Sequence, residues 1–216
     1  MIKDRTIKVT LSLSIITAFL YNIWPLGYFL DPNALHDNYF SVLESYSRPY
    51  AWVFILGDGL TAMIVILIGI WLYKLLPTLR SALTGYITFG VATLIEASTP
   101  ISSRCGESIN ACGISPAQII SFHDLASIIA AFGLFFALLK GMRHFRSLSL
   151  DSNLHKLLSA TFWFWSLSGL FLILSVAINK ATIISQALFL MACGLALFIL
   201  PFAALHTAGY SSTEAS

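Results

Sequence analysis

Along the chain, apolar stretches at roughly 9 to 30, 50 to 73, 82 to 98, 118 to 139, 157 to 178 and 183 to 206 alternate with polar connections. A helix rising about 1.5 Å per residue needs about 20 apolar residues to cross about 30 Å of hydrocarbon, so each stretch reads as a span, the third being marginal. Runs such as AMIVILIGIWLY, from Ala62 to Tyr73, show no two-residue alternation, which argues against a transmembrane barrel. The pattern predicts an all-α polytopic membrane protein: one integral membrane domain over 1–216, built as a six-helix transmembrane bundle. Within hydrocarbon the helices satisfy their own backbone groups, and Pro25 and Pro201 are expected to kink theirs.

The basic residues set the expected orientation. With the N terminus inside, Lys3, Arg5, Lys8, Lys74, Arg80, Lys140, Arg143, Arg146 and Lys156 are cytoplasmic, and only Arg48, Arg104 and Lys180 lie outside. This asymmetry predicts cytoplasmic N and C termini in a plasma (inner) membrane. Trp71 and Tyr73 suit the inner interface, and Tyr50 and Trp52 the outer one. The apolar run from Val9 outlasts a secretory h-region and no small-residue cleavage site follows it, so it is read as a retained first helix. Two long outer connections, 31 to 49 and 99 to 117, are expected to cap the bundle, while the inner connection 140 to 156 reads as a basic loop.

Composition agrees with the pattern. Of 216 residues, 57% are hydrophobic and 10% charged, the mean hydropathy is +0.83, and ordinary soluble domains carry about 25% charged residues. The formal charge of +2 follows topology and forms no nucleic-acid patch, so membrane lipids are the expected partners, with homo-oligomerisation left open. Cys105 and Cys112 flank GESINA in the second outer loop and are expected to form a disulfide, closing a short loop worth about 2.5 kcal/mol. Cys193 reads as a small core residue.

Acidic residues collect on the expected outer side: Asp31, Asp37, Glu44, Asp58, Glu96, Glu107 and Asp124, against Asp4, Asp151 and Glu214 inside. Four titratable groups, Asp58, Glu96, His123 and Asp124, lie within or at the ends of apolar spans. An aspartate at a helix centre costs about 2.5 to 3.5 kcal/mol even on lenient insertion scales, so these residues mark a candidate outer cavity. Asp58 lies between Gly57 and Gly59, and a buried pairing with Arg48 or with a hydroxyl such as Thr61 is the structural alternative to a functional role. His123 and Asp124 point about 100° apart on a helix, whereas Ser127 shares the His123 face at i+4.

These residues allow several chemistries. Asp58, Glu96, His123 and Asp124 are candidate catalytic groups, and His123, Asp58 and Glu96 a candidate ligand set for a divalent metal that activates water, with His36 as a further loop ligand. The same carboxylates equally suit protons or a cation. His144, His155 and His206 fall at the other side, which departs from the three-histidine zinc site of alkaline-ceramidase-like hydrolases and argues against haem. HExxH is absent, and against transport stand the lack of an inverted repeat and the crowding of polar residues at one side.

SVLESYSRPYAWVFILGD at 41 to 58, TLIEASTPISSRCGESINAC at 93 to 112 and FHDLAS from Phe122 resemble the prokaryotic membrane family called domain of unknown function 998. The resemblance implies six helices and makes Glu44, Arg48, Asp58, Glu96, His123 and Asp124 the preferred site, with Glu44, Arg48 and Ser127 as substrate-binding candidates. The leading functional expectation is a lipid- or lipid-headgroup-processing enzyme, a hydrolase or transferase, or a lipid-binding protein, with its site at the outer leaflet. A small proton- or cation-linked transporter or sensor, and a regulatory subunit of a membrane complex, are the alternatives.

Overall fold

The structure is a computed structural model that describes residues 4–31, 43–45, 48–99, 122–148, 152–178 and 182–213. Among them the secondary structure is helical: α1 (Asp4–Leu20), α2 (Gly27–Leu30), α3 (Ala51–Leu75), α4 (Arg80–Ser98), α5 (Phe122–Leu148), α6 (Ser152–Ala177) and α7 (Thr182–Thr213). Five segments are long and apolar enough to cross a membrane: Arg5–Leu26, Ala51–Leu75, Phe122–Ser147, Asn153–Ala177 and Ile183–His206. The chain is accordingly a multi-pass membrane protein. The sixth long helix, α4, carries Ser81, Thr84, Thr88, Thr93 and Glu96 and lies between α3 and α5, which cover it on both sides.

The long helices pack each on the next, α1 on α3, α3 on α4, α4 on α5, α5 on α6 and α6 on α7, and α7 closes the bundle against α1, α3 and α5 as well. The core runs through the middle on Val65, Leu72, Tyr86, Phe89, Leu134, Leu138, Leu158 and Leu197, while Leu67, Phe132, Leu167 and Ile173 face outward as a lipid belt. Tyr86 donates its hydroxyl to the Leu197 carbonyl at 3.1 Å, satisfying the one polar atom of that large buried ring.

Glycines set the closest helix contacts. A Cβ on Gly85 would lie 2.5 Å from the Gly133 carbonyl oxygen and 2.8 Å from the Ala137 nitrogen, and a Cβ on Gly133 would lie 2.8 Å from the Phe89 nitrogen. The α4 and α5 backbones therefore touch through paired small residues, the usual means of tight association in lipid. Gly90 fits against Val65, Ile66 and the Ala62 carbonyl, and Gly69 against Tyr86 and Ile87, which fixes the α3–α4 register.

Two sequence expectations are corrected. The first span is not continuous from 9 to 30: α1 ends at Leu20 and a 3₁₀ turn follows over Trp24–Leu26. The cause is local. Asn22 bonds its backbone N–H to Phe19 instead of Ala18, its side-chain amide takes the freed Ala18 carbonyl at 2.9 Å, and Pro25 has no N–H with which to resume. The basic segment 140 to 156 is mostly helix, because α5 runs on to Leu148 and α6 starts at Ser152, so that Lys140, Arg143 and Arg146 project from a helix end.

Gly85→Leu is expected to lower the thermal stability of the detergent-solubilised protein by about 3 kcal/mol or to abolish folding, since its side chain meets backbone on the facing helix. Gly59→Ala is the matched control. Its added methyl has no neighbour within 4 Å, so it should be neutral or stabilise by up to about 1 kcal/mol.

Candidate functional site

The end of the bundle where α1 stops, α3 begins, α4 stops and α5 begins holds the titratable residues. Asp58 is seven residues into α3, about 10 Å from its start. The preceding Gly57 seats the end of α1, since a Cβ there would collide with Ile23 and lie 3.4 Å from the Leu20 carbonyl oxygen. That contact brings Tyr21 alongside Asp58. The α3–α4 register that pairs Gly69 with Tyr86 and Gly90 with Val65 also sets Asp58 opposite Glu96.

Glu44 reaches the same place from a connection. Leu43, 2% exposed, lodges against Phe54, and a Cβ on Gly27 would lie 2.6 Å from it. This anchor holds the next residue over the bundle mouth. The Glu44 side chain hydrogen-bonds Asp58, while its Oε2 is buried with no hydrogen-bond partner among the described residues. Burial first, then the neighbouring Asp58 and Glu96 charges and the bond to Asp58, push the Glu44 carboxyl well above its ordinary range.

On the opposite wall Ser127 donates its hydroxyl to Glu96 Oε1, and also lies 3.1 Å from the His123 carbonyl oxygen. His123 is 4% exposed, with Nε2 3.6 Å from Glu96 Oε1 and Nδ1 buried without a partner among the described residues. Glu96 thus stands between the hydroxyl and the imidazole. A serine nucleophile needs its hydroxyl on the imidazole, and this order does not provide that.

The groups surround a cavity of about 70 Å³ lined by Tyr21, Ile23, Trp24, Glu44, Asp58, Glu96 and Gln186 among others. Sites for drug-sized ligands run from about 300 to 1,000 Å³, so this one is of a size for a few waters or a single small ion. Beside it a larger apolar groove of about 720 Å³ follows α1 and α7 past Ile15, Ala18, Met191 and Phe198, and shares Trp24 with the cavity.

The structure therefore gathers Glu44, Asp58, Glu96, His123 and Ser127. Asp124 lies on the exposed face of α5 outside the cavity lining, one residue and about 100° from buried His123. Arg48, one of the two structural alternatives as a partner for Asp58, forms an ion pair with Asp31 at 3.7 Å. Among the described residues no three His, Cys, Asp or Glu donors are grouped to hold a metal ion. Cys105, Cys112 and His36 lie outside the described residues, and Cys193 is buried as a free thiol. Polar groups are also less confined to one end than expected, since Thr10, Ser14 and Thr17 line the buried face of α1 below Tyr21.

Sequence reasoning missed Tyr21, Gln186 and Leu43. The cost of a polar side chain in hydrocarbon pointed to Gln186 as well as to Asp58, and is the signal that would have found it. No family model, curated protein or solved structure matches the chain.

A proton held more tightly by folded Glu44 than by the unfolded chain contributes stability that is whole below the ordinary carboxyl value of 4.5 and declines as pH rises through the raised folded value. The expected outcome is an unfolding temperature that falls from about pH 4.5 toward neutrality, and a shallower fall in Glu44→Gln. An unchanged profile in that variant would separate Glu44 from the titration.

Proposed function

We propose that this chain binds a small cation, a proton or a metal cation, in the acidic cavity near the extracytoplasmic face of the inner membrane, as a cation-linked transporter or sensor. The observation that carries this reading is the convergence of Glu44, Asp58 and Glu96 on a cavity of about 70 Å³. Carboxylates in a low-dielectric cavity need positive charge, as protons or as a bound cation. The volume suits such a ligand better than an organic substrate. In this reading α4 is a sixth span, kept in the membrane by its cover of α3 and α5.

The orientation rests on charge. Lys8, Lys74, Arg80, Lys140, Arg143, Arg146 and Lys156 stand at the bundle end opposite the cavity, where the Arg80 guanidinium stacks 5.2 Å over Tyr73 and donates to its carbonyl. Basic residues favour the cytoplasmic side, which puts the cavity outside.

The groove favours a second reading, a lipid-headgroup-processing enzyme or lipid-binding protein. Its apolar walls run from Ile15 and Ala18 on α1 past the end of that helix to Trp24 and Pro25, beside the carboxyl groups. A chain in the groove would present its headgroup to the cavity mouth.

The test is a stability screen of purified protein against pH, alkali and divalent cations, and short- and long-chain amines, with Asp58→Asn alongside. The cation reading expects stabilisation by protons or small cations that Asp58→Asn loses while remaining folded. Response to long-chain amphiphiles alone would move the assignment to the lipid reading. For orientation, a membrane-impermeant thiol reagent should label Cys105 and Cys112 from outside after mild reduction, and labelling from the cytoplasm alone would reverse the topology.

A further inference from the structure

The turn that ends α1 stands between two hollows. Tyr21 and Ile23 line the acidic cavity, Asn22 and Pro25 line the apolar groove of about 720 Å³, and Trp24 lines both, so that one indole is common to the two walls. On α7 the change comes within a single residue, since Gln186 and Leu190 line the cavity and Met191, Gly194 and Leu195 the groove. Two elements thus run from one hollow into the other. From Met191 to Phe198 the groove follows α7 for about 10 Å, through the middle of the apolar span Ile183–His206.

The groove faces lipid. α1 and α6 both pack on α7, and between Ile15 of the one and Phe164 of the other Met191 and Leu195 stay exposed. Small residues deepen it: Ala18 lines one wall, and Gly194 leaves room for the Asn22 amide, with which a Cβ there would collide. At this depth hydrocarbon fills such a groove, because its walls offer water too few partners. The adjoining cavity is the opposite in character. Glu44, Asp58 and Glu96 line it, and Glu44 Oε2 is buried with no hydrogen-bond partner among the described residues. A carboxylate has no hydrogen to donate, so the hydrogen bond between Glu44 and Asp58 contains one proton and leaves one negative charge on the pair. Among the described residues neither lining includes Lys, Arg or His.

We propose that groove and cavity are one site for a long-chain primary amine, whose ammonium enters the acidic cavity past Trp24 while its hydrocarbon chain lies in the groove along α1 and α7. This assignment rests on the cation reading above and names what carries the positive charge. An ammonium is a compact charge with three donors, so a cavity of about 70 Å³ admits the head alone, and three carboxyl groups are there to accept from it. A trimethylammonium is bulkier and has no N–H to give. A phosphate next to the ammonium would meet three carboxyl groups and no basic side chain, which selects an amine without a phosphate over a zwitterionic phospholipid. The Trp24 ring borders the passage, and aromatic faces attract cations. The chain gains little on passing from lipid into an apolar groove, so recognition lies in the head and the groove sets its direction of approach.

The experiment uses the full chain in dodecyl maltoside with a dodecylamine that carries a diazirine at its chain end, photolysed and mapped by peptide mass spectrometry. The expected result is label on the α1 and α7 segments around Ile15, Leu195 and Phe198. It should fall about tenfold or more with excess dodecylamine, and likewise in Asp58→Asn and in Glu44→Gln, the loss of one hydrogen bond to a charged group. Dodecanol, dodecyltrimethylammonium and lysophosphatidylethanolamine at the same mole fraction should compete far less. Label spread over the outward Leu67, Phe132, Leu167 and Ile173 and indifferent to both variants would mean ordinary lipid contact, and would overturn the assignment. Groove label that dodecanol or dodecyltrimethylammonium removes as well as dodecylamine does would take the ammonium out of the cavity, and equal competition by lysophosphatidylethanolamine would overturn the head without a phosphate. Met191→Trp puts a ring into the exposed groove rather than the core, so its expected loss of label decides the matter even where an acid variant does not fold; full label there overturns the placement of the chain. If groove labelling fails while protons, sodium or methylammonium still stabilise wild type through Asp58, only this inference fails; if nothing depends on Asp58, the cation reading fails with it.

Discussion

The contact of Gly85 with Gly133 brings two helix backbones together, and the chemistry at the far end of those helices depends on that spacing. With side chains at either position α4 and α5 would separate, and Glu96 would leave both Ser127 and His123. The same holds one helix over, where Gly90 and Gly69 seat α3 on α4 and Gly57 seats the end of α1 on α3. In lipid, where apolar burial gives no net drive between helices, such close approach supplies the packing that holds a polar helix such as α4 in place. Small residues in the lower and middle bundle thus decide where the carboxyl groups stand at the top.

The groups at the cavity fall into two sets. Glu96 receives the Ser127 hydroxyl and faces the His123 imidazole, while Glu44 and Asp58 have each other. Desolvation and the neighbouring carboxyl charges favour the protonated form of Glu44.

Much of this was legible in the sequence. Asp58, Glu96 and His123 were visible because hydrocarbon makes ionisable groups costly, and the i+4 rule placed Ser127 beside His123. Glu44 came through resemblance, since nothing in a loop glutamate's composition says that Leu43 will hold it down over a cavity. Of the two structural alternatives for Asp58, Arg48 forms an ion pair with Asp31 instead. Helix register was hidden for a different reason. Spans such as α3 are apolar on all sides, with outward Leu67 as hydrophobic as buried Val65 and Ile68, so periodicity does not say which face is inside. The glycines carry that information, but only once their neighbours are known.

Helices supply Asp58 and Glu96, but the segment between α2 and α3 supplies Glu44, pinned by Leu43 between Gly27 and Phe54. The cavity's acid count is thus tied to whether one leucine is seated. With Leu43 in its socket, three carboxyl groups line the cavity, one more than the helices alone supply. The acidity of the cavity is therefore set by one apolar contact in a connection as much as by the helices that carry Asp58 and Glu96.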